Sequence, residues 1–184
     1  MSVRLLRDFG ARPFGVKLIG LVRRIPLRIS EPMTMVTDYL LATVALFFAR
    51  GLFRAAGPRA KRAVKLWAWG FLILAAAALV GGTFHGGAFY LADPVRRALW
   101  NVTVYFIGFA SALMVAGTAA SRIARRDESA RWLLTGLAVS LLGMAVQQSS
   151  LHFGQDFNHN DIYHCIQIAA LWPFYRGARL LEDR

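Results

Sequence analysis

The sequence predicts an all-α protein, a polytopic membrane bundle of about five transmembrane helices. Of its 184 residues, 57% are hydrophobic and only 17% are charged, whereas soluble domains typically carry about 25% charged residues. The apolar residues fall into five runs that are nearly free of charge, and a helix of about 20 such residues crosses a bilayer core of about 30 Å. The runs are continuous rather than alternating, which excludes a β-barrel. A single cysteine excludes a disulfide scaffold.

Each run is separated from the next by a short connection that contains charges or helix-breaking residues. We predict helices from about Met33 to Ala49 (interrupted only by Asp38), Trp67 to Tyr90, Ala98 to Ala120, Trp132 to Leu151, and Asp161 to Tyr175. We find no internal repeat and no linker. Residues 31–184 are therefore expected to form one five-helix transmembrane bundle.

Residues 1–30 differ from this body because they hold seven basic residues and one acidic residue. One interpretation is a basic segment that lies on anionic lipid. The alternatives are a solvated tail or a mis-called start, since Met33 and Met35 stand just before the first span. No nucleic-acid partner is expected, because the excess charge flanks membrane spans and lacks interleaved aromatic residues.

The basic residues also predict an orientation. Five lie between positions 54 and 65, four between 122 and 131, and three between 176 and 184. Five crossings place all three groups on one face, and the positive-inside rule assigns that face to the cytoplasm. We therefore expect a multi-pass protein of the cell inner membrane with a cytoplasmic C-terminus. The basic tail favours the opposite orientation.

Polar residues gather on the other face. Up-and-down threading brings the following to one layer: Asp38, His85, Asn101, Gln147, Gln148, Asp161 and His164. Ionisable groups inside a bundle are costly and mark functional sites. Helix ends also carry polar residues as ordinary caps. The pattern therefore has two interpretations, a shared pocket or a set of independent helix caps. His164 has Asn160 and Gln167 at helical spacing, either of which would orient its ring.

Three short motifs resemble an uncharacterised bacterial family of small polytopic membrane proteins. They are the segments Met35–Leu40, Gly81–Gly87 and Asn158–Gln167, and the resemblance covers roughly residues 31–182. It implies a membrane bundle but no assigned reaction.

The chain is also distantly similar to the alkaline-ceramidase-like superfamily of membrane hydrolases, which carry Ser-x-x-x-His, an aspartate and His-x-x-x-His around a zinc ion. His85 and His164 match this pattern, whereas Gly81 stands at the serine position and Asn160 at the first histidine of the final pair. Asn101 is a loose match for the aspartate. The departures leave that zinc site incomplete.

The resemblance implies a zinc-dependent hydrolase of lipid-like amides or esters. His85 and His164 would be zinc ligands, and the third would be His159, Asp38 or Asp161. A carboxylate not used as a ligand would act as general base, so we assign Asp38 and Asp161 to catalysis.

Two other classes remain open. His85 and His164 could be axial ligands of haem b in an electron-transfer protein. The chain could instead be a non-enzymatic membrane subunit, sensor or ligand-binding protein, which needs no missing ligand.

Overall fold

The computed structural model describes residues 28–57, 61–121, 127–149 and 157–183. These contain the helices α1 (Pro32–Ala56), α2 (Arg62–Gly87), α3 (Asp93–Ala119), α4 (Glu128–Gln147) and α5 (His159–Arg179). No strand is present in this part of the chain; an isolated bridge joins Ser121 to Asp183. The predicted all-α class and the five helices are confirmed. The basic tail lies outside the described residues up to position 27.

Four of the five helices, α1 to α4, are long and apolar enough to cross a membrane. The chain is therefore compatible with a multi-pass membrane protein. The fifth helix is also the length of a span, with 21 residues, but it begins with the polar sequence His159–His164. Its polar first turns pack against neighbouring helices, which explains why a less apolar helix is accommodated within the bundle.

Packing does not follow the order of the helices in the chain. Each helix contacts its neighbour in the order α3, α2, α1, α5, α4, and α5 also touches α2. The last helix therefore lies between α1 and α4. The outer helices α3 and α4 expose large apolar side chains, including Tyr105, Phe109, Val115 and Leu142, as expected for surfaces that face lipid.

Small residues bring α1 and α2 close together. Ala45, Ala63 and Ala68 are completely buried, beside the larger side chains of Leu52 and Phe71. In a bilayer, helices associate through close van der Waals packing, and small residues permit it. The buried core is centred on these two helices and is completed by Leu171, Ala178 and Leu181 near the C-terminus.

All five helices begin before the charge-free runs, whereas α2 and α4 end earlier than predicted, at Gly87 and Gln147. α1 continues through Arg50 and Arg54 to Ala56, and α3 begins at Asp93 with Pro94 in its first turn. Proline is well tolerated there, because the first turn does not use its backbone N–H. Charged residues can occupy terminal turns because these lie at the level of the lipid headgroups or water.

The C-terminal residues return to the start of α2. The carboxylate of Asp183 accepts hydrogen bonds from the backbone N–H groups of Arg62 and Ala63, at 2.7 and 2.8 Å. The C-terminal residues thus lie beside the first basic connection, the group of basic residues between positions 54 and 65. The sequence predicted that this connection and the C-terminus share one face of the membrane.

Candidate functional site

The opposite end of the bundle gathers the predicted polar residues. It is formed by the start of α1, the end of α2 and the start of α5. Glu31, directly before α1, donates its backbone N–H to the His85 carbonyl at 3.2 Å. Its carboxylate Oε2 lies 3.0 Å from His85 Nδ1. The N-terminal end of α1 is thereby joined to the C-terminal end of α2.

Asp161 anchors the start of α5 to α1. One carboxylate oxygen accepts a hydrogen bond of 2.8 Å from the Thr34 hydroxyl. The other oxygen accepts a hydrogen bond of 2.8 Å from the backbone N–H of Asn158. Asn158 is the N-cap residue of a capping box. Asp161 is completely buried, and both of its oxygens have donors. In this position Asp161 anchors α5 to α1, and its predicted catalytic role stays a prediction.

His164 lies one turn further along α5 and faces Thr37 and Asp38 of α1. Its Nδ1 is 3.1 Å from the Thr37 hydroxyl, and its Nε2 is 3.5 Å from Asp38 Oδ1. The side chains of His164 and Asp38 are only 13% and 7% exposed. Residues far apart in sequence thus form a buried Asp–His–Thr row.

The Thr37 hydroxyl has two neighbours, the His164 Nδ1 atom at 3.1 Å and the backbone carbonyl of Thr34. When this hydroxyl donates to the Thr34 carbonyl at 3.0 Å, its oxygen accepts from His164 Nδ1–H. The Nε2 atom then faces Asp38 either as a bare nitrogen opposite a protonated carboxyl, or as N–H opposite a carboxylate. Two facing lone pairs would repel, so in this arrangement one proton lies between Asp38 and His164.

Asp38 also has an oxygen without a partner. Its Oδ2 is buried and makes no hydrogen bond within the described residues. A Cβ built at Gly81 of α2 would lie 3.3 Å from this oxygen, so the absence of a side chain at Gly81 leaves room for it. Buried polar atoms are nearly always satisfied, which marks Oδ2 as the atom where a water or ligand would bind.

Residues of α4 complete this end of the bundle by pairing with residues of α5 other than His164. Gln147 donates to the Asn160 side-chain oxygen, and Ser140 donates to the Gln167 side chain at 3.1 Å. The expectation that Asn160 or Gln167 orients His164 is therefore wrong, because both pair with α4 while Thr37 orients the ring. Cys165, the single cysteine of the chain, is exposed.

The predicted metal ligands are not brought into one cluster. No group of three or more His, Cys, Asp or Glu residues in the described part of the chain is arranged to hold a metal ion. His164 has Asp38 beside it, whereas His85 faces Glu31. His159 occupies the first position of α5. The present arrangement does not fit a three-ligand zinc site, and the metal-binding roles of these histidines stay a prediction.

Three residues of this site were not among the candidates. Glu31, Thr34 and Thr37 each contact a predicted site residue. The sequence could have indicated the two threonines as neighbours of Asp38. The i, i+3, i+4 spacing of Thr34, Thr37 and Asp38 places their side chains on one helix face. Their partners on α5 could not be deduced, because hydroxyl groups in helices usually bond to their own backbone.

A model of DUF6962, a family of unknown function, matches residues 33–126 and 120–183 of the chain. No curated protein and no solved structure matches it.

Proposed function

Because the chain belongs to the DUF6962 family of unknown function, we propose an activity that combines its site geometry with the resemblance noted in its sequence: a membrane-embedded hydrolase of lipid-like amides or esters. The reacting groups are Asp38 and His164. The observation that supports this most directly is the buried, unpartnered Oδ2 of Asp38 beside a histidine whose other nitrogen is held by Thr37.

The shared proton gives this pair both an acid and a base. In the form in which Asp38 is ionised and His164 Nε2 carries the shared proton, Oδ2 takes a proton from a water molecule. That water attacks the substrate carbonyl, and a C–O bond forms. His164 Nε2–H then protonates the leaving amine or alcohol as its bond to the carbonyl carbon breaks. Transfer of the acquired proton from Asp38 to His164 restores the starting state. General acid–base catalysis of this kind contributes about 10²- to 10⁴-fold.

The substrate class comes from the resemblance to the alkaline-ceramidase-like superfamily and from the membrane setting. In that resemblance Gly81 stands at the position of the serine, and Asp38 lies directly against Gly81. The mechanism proposed here uses the Asp38–His164 pair and has no step that requires a metal.

The test uses the full chain in lipid nanodiscs with a fluorogenic fatty-acyl amide and the matching ester. We expect measurable hydrolysis that falls by at least about 100-fold in Asp38→Asn and in His164→Gln. Glu182→Gln, which removes an exposed carboxylate near the other end of the protein, is the matched control and should retain full activity. Hydrolysis that is no faster in the parent than in Asp38→Asn would overturn the proposal.

A second candidate is a non-enzymatic ligand-binding or sensor protein, and the deep burial of Asp38 and His164 favours it. In that case the same assay shows no turnover, while added lipid-like amide raises the melting temperature of the parent and not of Asp38→Asn. The haem b alternative stays a prediction, and the absence of a Soret band in the absorption spectrum of the purified protein would overturn it.

The orientation is also a proposal. We place the C-terminus in the cytoplasm of a cell with an inner membrane, because Asp183 lies against the start of α2 beside the first basic connection. Reporter fusions at the C-terminus should show cytoplasmic and not periplasmic activity. The reverse result would turn the Asp38–His164 end toward the cytoplasm without altering its geometry.

A further inference from the structure

A cleft at the end of α2 and the start of α3 is not used by the proposed reaction. One wall is aromatic: the ring centroids of Phe84 and Trp100 are 5.5 Å apart, and Phe84 also contacts the His85 ring edge-on at 5.1 Å. The other wall carries Asp93, Arg96 and Arg97 of α3, with Asn101 one turn further. Apolar and cationic groups thus face the same space.

The charges of this cleft are unequally paired. Arg96 binds Asp93 at 2.7 Å, and His85 binds Glu31. Arg97 is exposed, and no acidic side chain forms an ion pair with it in the described part of the chain. A third arginine, Arg28, lies close to the turn between α2 and α3, with its guanidinium 5.2 Å from the centre of the Phe89 ring. The cleft therefore has a surplus of positive charge.

The position of the cleft along α3 sets it at the surface of the bilayer. Asp93, Arg96 and Arg97 occupy the first turns of a 27-residue helix, and the rest of that helix has no charged residue. At a rise of about 1.5 Å per residue such a helix exceeds the hydrocarbon core by several residues. Its charged end thus lies among the phosphate groups, and Trp100 lies where tryptophan is enriched at membrane interfaces.

We propose that this cleft binds an anionic glycerophospholipid from the surrounding membrane. The guanidinium of Arg97 holds the phosphate, Asn101 contributes polar contacts to the headgroup, and the upper acyl chain packs on Phe84 and Trp100. Charge complementarity carries the assignment, since guanidinium groups are well suited to phosphate. The carboxylate that lines the cleft, Asp93, is paired with Arg96, which leaves Arg97 for the lipid. The site is independent of the hydrolase proposal, because neither Asp38 nor His164 takes part.

The experiment is native mass spectrometry of the full chain in detergent, titrated separately with phosphatidylglycerol and phosphatidylcholine. We expect phosphatidylglycerol to bind more tightly, and Arg97→Gln to weaken it by about tenfold, the loss typical of one charge-assisted hydrogen bond. The affinity for phosphatidylcholine, which has the phosphate but no net charge, should change little in Arg97→Gln. Asp93→Asn should strengthen phosphatidylglycerol binding, because it removes the acidic residue that competes for Arg96.

The matched control is Arg131→Gln, which removes another exposed arginine, from the start of α4, and should leave binding unchanged. Both arginines are exposed, so the variants are expected to fold, and size-exclusion elution checks this. Equal affinity for the two lipids would overturn the proposal. So would equal losses in Arg97→Gln and Arg131→Gln, or weaker binding in Asp93→Asn.

Discussion

The Thr34 hydroxyl donates a hydrogen bond of 2.8 Å to the carboxylate of Asp161, and the two residues are 1% and 0% exposed. This bond joins the first helix to the last. It lies one turn from the Asp38–His164 pair and holds α1 and α5 in the register that brings that pair together. The geometry of the site therefore depends on Thr34, a residue that takes no part in the proposed reaction.

Replacement of Thr34 by valine tests this bond. The shape of the side chain is retained, but one oxygen of a fully buried carboxylate loses its donor, so we expect a loss of about 1.5–3 kcal/mol in unfolding free energy. Denaturation in mixed micelles measures it. Thr43→Val is the control, because Thr43 is exposed and its hydroxyl bonds to the Tyr39 carbonyl of its own helix. Similar losses in both variants would contradict this account.

The start of α5 depends on its N-cap. Asn158 accepts a hydrogen bond of 2.8 Å from the Asn160 backbone N–H and shares a capping box with Asp161. We expect Asn158→Ala to lower stability by about 1 kcal/mol and to increase hydrogen exchange at the first amides of α5. Asn158→Asp should preserve most of the stability, since aspartate is an equally good cap. Unchanged exchange in Asn158→Ala would show that tertiary contacts alone hold this end.

Gly82 permits the close approach of α1 and α2. A Cβ at this position would lie 2.7 Å from a ring carbon of Tyr39, so Gly82→Ala should destabilise the protein by about 1–3 kcal/mol. Gly108 is the matched control in α3, because a Cβ there meets nothing within 4 Å. Gly108→Ala should be neutral or stabilising by up to about 1 kcal/mol, since alanine is the better helix former. Thermal unfolding of both variants gives the comparison, and equal effects would refute it.

Asp183 gives a stability contribution that depends on pH. Hydrogen bonds from the Ala63 and Arg62 backbone N–H groups lower the pKa of its carboxyl below the ordinary value of 3.8. Because the pKa is lower in the native than in the unfolded state, the carboxylate contributes its full stabilisation above the unfolded-state pKa. This stabilisation is lost as the pH falls through the native-state pKa. The stability difference between the parent and Asp183→Asn should therefore be constant from pH 7 to about pH 5 and shrink in more acidic solution. A difference that grows on acidification would contradict this sign.

Part of the site follows from sequence because helix direction is easy to predict in a membrane protein. Once the charge-free runs are recognised, alternating threading puts Asp38, His85 and His164 at one end. The structure indeed joins Glu31 to His85 and Thr37 to His164 there. The pairings themselves did not follow from the sequence. Helical spacing pointed to Asn160 and Gln167 as neighbours of His164, and both instead pair with α4.

The amino-acid sequence by itself determined the class of the protein, the number and direction of its helices, and the end at which its ionisable residues gather. These follow from the free energy of transfer into lipid, which depends on each segment alone. Only the tertiary structure decided that α5 lies between α1 and α4, that Asp161 is a satisfied anchor, and that Asp38 keeps an unpartnered oxygen. Those outcomes depend on which helix faces meet, and that is set by the close packing of small residues summed over many weak contacts between segments distant in the chain.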